Sequence, residues 1–184
     1  MTGRYLSTAE LEAGLAHILQ SPPDQGPIEL IVRRPAVGQR EELREAELDL
    51  AVGLVGDNWH TRRSSRTPDG SANPDCQLTL INVRLINLLA QSRDRWALAG
   101  DQLFVDLDLS VANLPAGTRL AAGTATLEIT AAPHTGCRSF VEWYGADAMA
   151  WVNSPQGRTH NLRGIHARVI VPGRVVVGDV IIKL

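Results

Sequence analysis

A chain of 184 residues is long enough for one domain with a sizeable hydrophobic core. Its 44% hydrophobic and 21% charged residues are typical of a globular protein, and its formal net charge of −2 argues against a general nucleic-acid-binding protein. No stretch has the ~20 consecutive apolar residues of a membrane helix, and the N-terminus lacks the apolar segment of a signal peptide. We therefore expect a cytoplasmic protein that binds neither membranes nor nucleic acids.

The N-terminal part of the chain predicts one helix and two strands. Ser7 and Glu10 fit a capping box, and apolar residues follow at helical spacing until a Pro-Pro pair ends the helix. The stretches PIELIVRRP and AELDLAVGLVGD then alternate apolar and polar residues, which is the pattern of half-buried strands. We interpret REELRE, which lies between them, as a solvated segment.

A long polar loop follows these strands. The stretch from Asn58 to Cys76 has no apolar period and is rich in Ser, Pro, Asn, Asp and Gly. Long loops in compact domains are usually functional or disordered. After the loop, CQLTLI predicts a strand, and Asn82 is suited to cap the helix that comes next.

From Gly100 onward the pattern is mainly that of strands. Apolar residues alternate in QLFVDLDLS, ATLEIT, IHARVIV and RVVVGDVII, with Pro172-Gly173 as the turn between the last two. FVEWYGADAMAWVNS is the one helical insertion that we expect here. Many short strands with a few peripheral helices predict a mainly β fold, a closed or nearly closed barrel. We place this barrel domain at residues 26–184, after an N-terminal helical extension at residues 1–25.

Cys137 is the first candidate for chemistry. It follows HTG and precedes the helical insertion, with Arg138 beside it. A helix start and a neighbouring cation favour the thiolate, the form that binds soft metals and attacks sulfur. The alternatives are a small buried hydrophobic side chain and a disulfide with Cys76, which would be unusual in the cytoplasm.

The histidines and a basic stretch leave further alternatives open. His134 lies three residues before Cys137, and His60 could approach both through the fold, so a Cys/His zinc site is a second hypothesis. No paired CxxC or HxxxH supports it. HTRRSSR, which ends at Arg66, offers arginines and hydroxyls that could hold a phosphate or form an ordinary solvated loop.

Five blocks, taken in their order along the chain, carry a family resemblance. They are GLVGDNWH, QLTLINVRLINLL, GDQLFVDLDLSVANLPAGTRLAAGTATLEIT, HTGCRSF and RGIHARVIVPGRVVVGDVI. No single block is specific, but their order and spacing resemble the MOSC domain, which is found at the C-terminus of molybdenum-cofactor sulfurases and in amidoxime-reducing enzymes. The resemblance covers about residues 26 to 183 and is closest to the stand-alone MOSC proteins. One departure is Asn58, which stands where the family usually has an Arg after GD.

The resemblance implies a barrel-like, mostly β fold and a cysteine that carries sulfur or coordinates the molybdenum of a pterin cofactor. Cys137 matches that cysteine and is therefore the candidate catalytic residue and metal ligand. Together with the local patterns above, the matched blocks give the candidate cofactor-binding residues Asp57, His60, Arg62, His134, Arg138, Arg163 and Arg168.

The activity that the resemblance implies is sulfur transfer or reduction of N-hydroxylated compounds, by a sulfur transferase or an oxidoreductase. One alternative is a non-catalytic module that delivers cofactor or sulfur to a partner enzyme. Another is a barrel that binds no cofactor, in which Cys137 is merely structural. Besides the pterin cofactor, the implied partners are a separate desulfurase or an electron-donor protein, and a homodimer stays open.

Full-length sulfurases draw sulfur from cysteine with pyridoxal phosphate, which is thus associated with the family. That chemistry needs a lysine amine, held rigidly, to form a Schiff base with the cofactor. The only lysine here is Lys183, the penultimate residue, and arginine cannot replace it. We therefore do not expect this chain to use pyridoxal phosphate.

Overall fold

Residues 4–184 are described by a computed structural model, and within them eleven strands form two sheets. The strands are β1 (Gln25–Arg33), β2 (Glu41–Leu43), β3 (Glu45–Asp49), β4 (Gly53–Leu54), β5 (Leu78–Asn82), β6 (Leu103–Val105), β7 (Arg119–Ala122), β8 (Ala125–Ile129), β9 (Ile165–Val171), β10 (Gly173–Val176) and β11 (Val180–Lys183). The helices are α1 (Thr8–Ile18), α2 (Val83–Ala90), α3 (Arg138–Tyr144), α4 (Ala146–Val152) and α5 (Pro155–Thr159), with three 3₁₀ segments at Trp59–Thr61, Pro74–Cys76 and Arg93–Ala99.

Seven strands close into a barrel in the order β11-β7-β8-β9-β5-β6-β1. The closing pair is antiparallel and places Gln25 of β1 opposite Ile182 of β11. Only β5 and β6, which are joined through α2, run parallel within the described barrel. The prediction of a mainly β barrel with a few helices is confirmed, and closure leaves few unpaired strand edges.

Two hydrophobic clusters hold the domain together. The barrel interior is filled by alternating aliphatic residues of its strands, so the pattern of QLFVDLDLS is explained: Leu103, Val105, Leu107 and Leu109 are all buried there. The second cluster lies outside the barrel, where α1, α2 and the helices after β8 pack around Phe104, Phe140 and Trp151. The helix predicted for residues 1–25 therefore packs within the same domain as the barrel helices.

The helix boundaries follow from local capping. The capping box of α1 is present, with the Glu10 carboxylate accepting the Ser7 backbone N–H at 2.9 Å. At α2, the Asn82 side chain accepts the backbone N–H groups of Arg84 and Leu85. The helical insertion that the sequence predicts at FVEWYGADAMAWVNS is divided by Gly145 into α3 and α4, and a further helix that the sequence did not predict, α5, begins at Pro155.

A small second sheet, in the order β10-β3-β4, corrects two details of the sequence interpretation. Pro172 does not turn one strand back on the next, because β9 pairs in the barrel whereas β10 pairs with β3. The strand predicted in AELDLAVGLVGD ends at Asp49, so Leu50 is exposed and not in line with Ala46 and Leu48.

Among residues 4–184, no helix has both the length and the apolar character needed to span a bilayer.

Candidate functional site

A cavity of about 440 Å³ lies at one end of the barrel. The register explains why its walls meet there: Ile31, near the end of β1, pairs with Leu103 at the start of β6, and Leu80 pairs with Ile165 at the start of β9. The segments that leave or enter the barrel at this end are thereby brought together. Residues of the long loop that follows Asn58 form a further part of the cavity wall.

The cavity is lined by arginines. Six of them face it, and no described residue that lines it is an Asp or a Glu. The six are Arg34, Arg40, Arg62, Arg63, Arg66 and Arg163. Because guanidinium groups stay protonated and present several donors in one plane, such a cavity is suited to a phosphate or another polyvalent anion.

Arg34 is fixed by a buried ion pair with Asp57. The Asp57 carboxylate accepts the Arg34 backbone N–H at 2.9 Å, the Nε–H and Nη2–H groups at 2.8 Å each, and the Trp59 backbone N–H at 2.9 Å. Arg34 Nη1 donates to the Gly100 carbonyl at 2.9 Å. Burial raises the pKa of Asp57, but the hydrogen bonds and charge of Arg34 outweigh it and hold that pKa below its ordinary value. Asp57 therefore lies behind the cavity wall and fixes the position of the Arg34 guanidinium.

Arg40 and Arg62 lie near Arg34, but neither forms an ion pair with a described residue as Arg34 does with Asp57. Burial, followed by the positive charge of Arg34, lowers the pKa of both from the ordinary arginine value. Asn58, at the position where the family usually has an arginine, accepts a hydrogen bond from Arg62 Nε at 2.8 Å and orients that side chain. Arg40 Nε is buried and has no hydrogen-bond partner among the described residues. An anion in the cavity would relieve both the charge repulsion and the missing hydrogen bond.

A second buried pair is formed by Arg163, which lines the cavity, and Asp101, which lies behind it. Arg163 Nη1 donates to Asp101 Oδ2 at 2.8 Å, and its guanidinium lies 4.8 Å from the centre of the Phe140 ring. Asp101 Oδ1 faces His134 Nδ1 at 3.6 Å, and both atoms are buried without a hydrogen-bond partner in the described chain. This cluster therefore has unused hydrogen-bonding capacity at the cavity.

Two histidines pack against each other in this cluster. The rings of His134 and His166 are 4.5 Å apart, and His166 Nδ1 lies 3.0 Å from the Ala132 carbonyl. Burial, with the nearby Arg163 charge, lowers the pKa of His134 well below its ordinary value, and burial likewise lowers the pKa of His166. Both rings are therefore neutral at neutral pH, with the proton of His166 on Nδ1, where it is donated to Ala132.

The position of His134 depends on a glycine. Gly164 has φ +98°, and a Cβ there would lie 2.3 Å from the Leu80 carbonyl oxygen and 3.2 Å from His134 Nδ1. Any side chain would therefore push the loop away from β5 and His134 out of its place. Gly164, the glycine of RGIHAR, therefore allows its own loop to pack closely against β5 and His134.

Both cysteines line the same cavity, in different environments. Cys137 is exposed at the N-cap of α3, whereas Cys76 is half-buried at the end of a 3₁₀ segment, where Asn73 Nδ2 donates to its sulfur at 3.5 Å. Burial raises the pKa of the Cys76 thiol. Both thiols are free, so the disulfide alternative is not realised in this structure.

Comparison with known families identifies the protein class. The sequence profile described as the MOSC domain matches residues 71–182, which is more than half of the chain. The chain belongs to the MOSC domain family. No curated protein sequence matches it closely.

Several solved structures share the fold of this chain. The YuaD protein of Bacillus subtilis superposes with a TM-score of 0.57 at 17% identity, covering 85% of this chain and 94% of that one. YiiM from Escherichia coli gives 0.55 at 18% identity, covering 87% and 69% of the two chains. YiiM from Geobacillus stearothermophilus gives 0.57 at 12% identity, with coverages of 86% and 75%. At these identities the likeness establishes the fold.

Four of the sequence-derived site residues of this MOSC protein line the cavity: Cys137, Arg62, His134 and Arg163. The other four do not line it. Asp57 lies behind Arg34, and His60 is exposed on the neighbouring 3₁₀ segment. Arg138 is largely exposed and pairs with Glu142, and Arg168 pairs with Glu128 on the outside of the barrel.

Sequence reasoning missed Arg34, Arg40 and His166, which line the MOSC cavity, and Asp101, which lies behind Arg163. Arg34 and Asp101 each lie next to a strand end, a position where loop residues often carry function, and that was the available signal. Arg40 lies in the segment interpreted as solvated, but its side chain is buried at Nε. His166 lies within the block RGIHAR, and only the register of β9 against β5 and β8 places it beside His134.

Two other sequence hypotheses concern metals and lysine. The described part of the chain has no cluster of three or more His, Cys, Asp or Glu side chains that could hold a metal ion, which gives the zinc hypothesis no support. Lys183 Nζ donates to Asn113 Oδ1 at 2.7 Å on β11, and it does not line the arginine cavity.

Proposed function

We propose that this MOSC protein binds the molybdenum cofactor in the arginine-lined cavity, with Cys137 as metal ligand or sulfur carrier. The observation that carries the proposal is the joint presence, in one cavity, of six arginines and an exposed thiol without any acidic lining residue among those described. The family is associated in general with this cofactor. The volume of about 440 Å³ is within the range of small-molecule and cofactor sites.

The arginines fit the phosphate of a pterin cofactor. Arg34 and Arg62 are pre-oriented by Asp57 and Asn58, so little side-chain entropy is lost when an anion binds. The buried Nε–H of Arg40 has no acceptor among the described residues, and a phosphate oxygen would supply one. Removal of Arg40 should therefore weaken phosphate binding more than removal of an exposed arginine outside the cavity.

Cys137 fits a soft metal. A thiolate is the protein ligand that favours such metals, and the MOSC cysteine is the family's metal ligand or sulfur carrier. When bound, the cofactor would supply a redox-active metal centre able to exchange oxygen or sulfur groups. The neutral His134, which faces Asp101, and the Arg163 guanidinium would orient what binds beside that centre without adding a further titrating charge.

A delivery role for this MOSC protein, without turnover of its own, is the second candidate. Cys137 is exposed, whereas most of the cavity floor is buried, so a partner protein could reach the thiol or a persulfide formed on it. Reduction of an N-hydroxylated compound with an added electron donor would favour the catalytic role. Transfer of cofactor or sulfur to an acceptor enzyme, without such turnover, would favour delivery.

The proposal is tested by producing the protein in a host with an intact molybdenum-cofactor pathway and measuring its molybdenum and pterin. We expect both in the wild type, a loss of molybdenum in Cys137→Ser, and retention in Cys76→Ser. Cys76 is a matched control because it lines the same cavity. A wild-type protein free of molybdenum and pterin would contradict the proposal, and equal molybdenum in both variants would contradict the role of Cys137 as metal ligand.

A further inference from the structure

A second cavity, of about 520 Å³, lies on the other side of the segment that carries His134. Its walls come from the loop before β7, the end of β8, the helical insertion and the start of β9. In contrast to the arginine cavity, its lining is mainly apolar, and the residues that define its body are Val111, Leu114, Ile129, Val152 and Ile165. This size and character are those of a site for a small organic molecule.

The two cavities share a wall. His134, Arg163 and His166 line both of them, and these side chains form one polar end of the second cavity. Arg163 Nε is buried and has no hydrogen-bond partner among residues 4–184, whereas His134 Nδ1 is directed at Asp101 Oδ1, 3.6 Å away. Buried polar groups are nearly always paired in native proteins, so a ligand group at this wall would satisfy an existing deficit.

The charge of the second cavity selects the ligand. Its charged lining residues are Arg158 and Arg163, and no described lining residue is acidic. Asp101 neutralises Arg163, whereas exposed Arg158 forms no ion pair with any described residue. The second cavity therefore has an excess of positive charge next to its apolar lining residues.

We propose that the second cavity binds a small organic anion with a flat apolar body, such as an aromatic carboxylate, next to the wall that it shares with the arginine cavity. The apolar lining buries the ring, and Arg158 and the unpaired Nε–H of Arg163 donate hydrogen bonds to the anionic group. The site is distinct from the proposed cofactor site and does not require the cofactor, so it can be tested on protein that contains none.

The test uses the full chain labelled with ¹⁵N and titrated with benzoate, benzamide and benzylamine. Benzoate should shift the backbone amide signals of Ile129, Gly157 and Ile165, with smaller shifts at Arg62 and Arg63 in the other cavity. Benzamide, which keeps the ring and an acceptor but no charge, should bind more weakly, and benzylamine should not bind. Shifts confined to the arginine cavity, equal binding of all three probes, or no shifts at millimolar benzoate would overturn the proposal.

Arg158→Gln and Arg119→Gln form a matched pair, since both arginines are exposed and only Arg158 lines the cavity. Arg158→Gln should weaken benzoate binding by about threefold, the effect of losing one exposed charge contact, and leave benzamide binding unchanged. Arg119→Gln should behave as the wild type. Equal affinity of both variants for benzoate would show that Arg158 does not recognise the anion and would overturn this part of the proposal.

Discussion

Two buried aspartate–arginine pairs lie at the same end of the barrel, and they differ in how completely they are satisfied. Both oxygens of Asp57 accept hydrogen bonds, from Arg34 and the Trp59 backbone. In the Asp101–Arg163 pair, by contrast, Asp101 Oδ1 and Arg163 Nε are buried without partners in the described chain. Aspartate and arginine therefore serve two different purposes within one site.

This difference distinguishes a pair that stabilises the fold, Asp57–Arg34, from a pair that is available for binding, Asp101–Arg163. A buried charge pair stabilises a fold only when nearly all its hydrogen bonds are made, and Asp57–Arg34 meets that condition. The Asp101–Arg163 pair leaves Arg163 Nε without a partner at the wall between the two cavities, at a cost in stability that a ligand can offset. The first pair should therefore matter most for folding and the second for binding.

The largest expected effect follows from breaking the first pair. Asp57→Asn removes the negative charge and leaves the Arg34 guanidinium buried without compensation. We expect a loss of about 3–5 kcal/mol in the free energy of unfolding, measured by urea denaturation at neutral pH. Asp101→Asn should cost less, about 1–3 kcal/mol, because fewer hydrogen bonds are lost. A larger loss for Asp101→Asn than for Asp57→Asn would invert the comparison.

The second expected effect is a pH dependence of stability from the histidines of the unsatisfied cluster. His134 and His166 face Asp101 and Arg163, and their pKa values in the folded protein are lowered, chiefly by burial. The unfolded chain, with histidine pKa values near ~6.5, then binds more protons than the folded one below that pH. Stability should be fully present above about pH 6.5 and fall as the pH drops below it, by up to about 1.4 kcal/mol per unit for each histidine.

Urea denaturation at several pH values between neutral and mildly acidic would measure this dependence. His134→Gln should reduce the slope, whereas His17→Gln should leave it unchanged, because His17 is exposed on α1. A wild-type protein whose stability stays constant over this range would show that the two buried histidines do not carry the dependence.

The smallest expected effect concerns the difference in reactivity between the two thiols. Cys137 is exposed, whereas Cys76 is half-buried with a raised pKa, so Cys76 has less reactive thiolate at a given pH. Alkylation with iodoacetamide at mildly acidic pH, followed by peptide mapping, should label Cys137 severalfold faster. Faster labelling of Cys76 would reverse the assignment of the reactive thiol.

Local sequence rules predicted most of the fold. Capping residues such as Ser7 and Asn82 located helix starts, and period-2 apolar patterns located the barrel strands, because both signals depend on neighbouring residues alone. The ends of strands were less predictable. Leu50 continues the apolar alternation but lies beyond β3, since pairing with β4 and β10 stops at Asp49 and Leu48.

The site was only partly predictable, because its residues come from distant segments. Cys137 and Arg163 could be found from the family blocks, because these blocks match residue types along the chain. The blocks do not say which residues are in contact in the fold. The roles of Asp57 and Asp101 depend on partners 23 and 62 residues away in the chain, and no local pattern encodes such contacts. Arg40 begins a charged segment that is mostly exposed, and no local pattern distinguishes its buried Nε from the exposed side chains that follow.

The central claim is that the arginine cavity holds the pterin cofactor through its phosphate. It is tested most directly by the pterin content of Arg40→Gln and Arg138→Gln, produced in a host with an intact cofactor pathway and measured by pterin fluorescence after oxidation. Arg40 lines the cavity with a buried, unpartnered Nε, whereas Arg138 is exposed outside it. We predict a loss of about tenfold or more in bound pterin for Arg40→Gln, from the loss of a charge-assisted contact, and wild-type content for Arg138→Gln. Equal pterin content in the two variants would contradict the account.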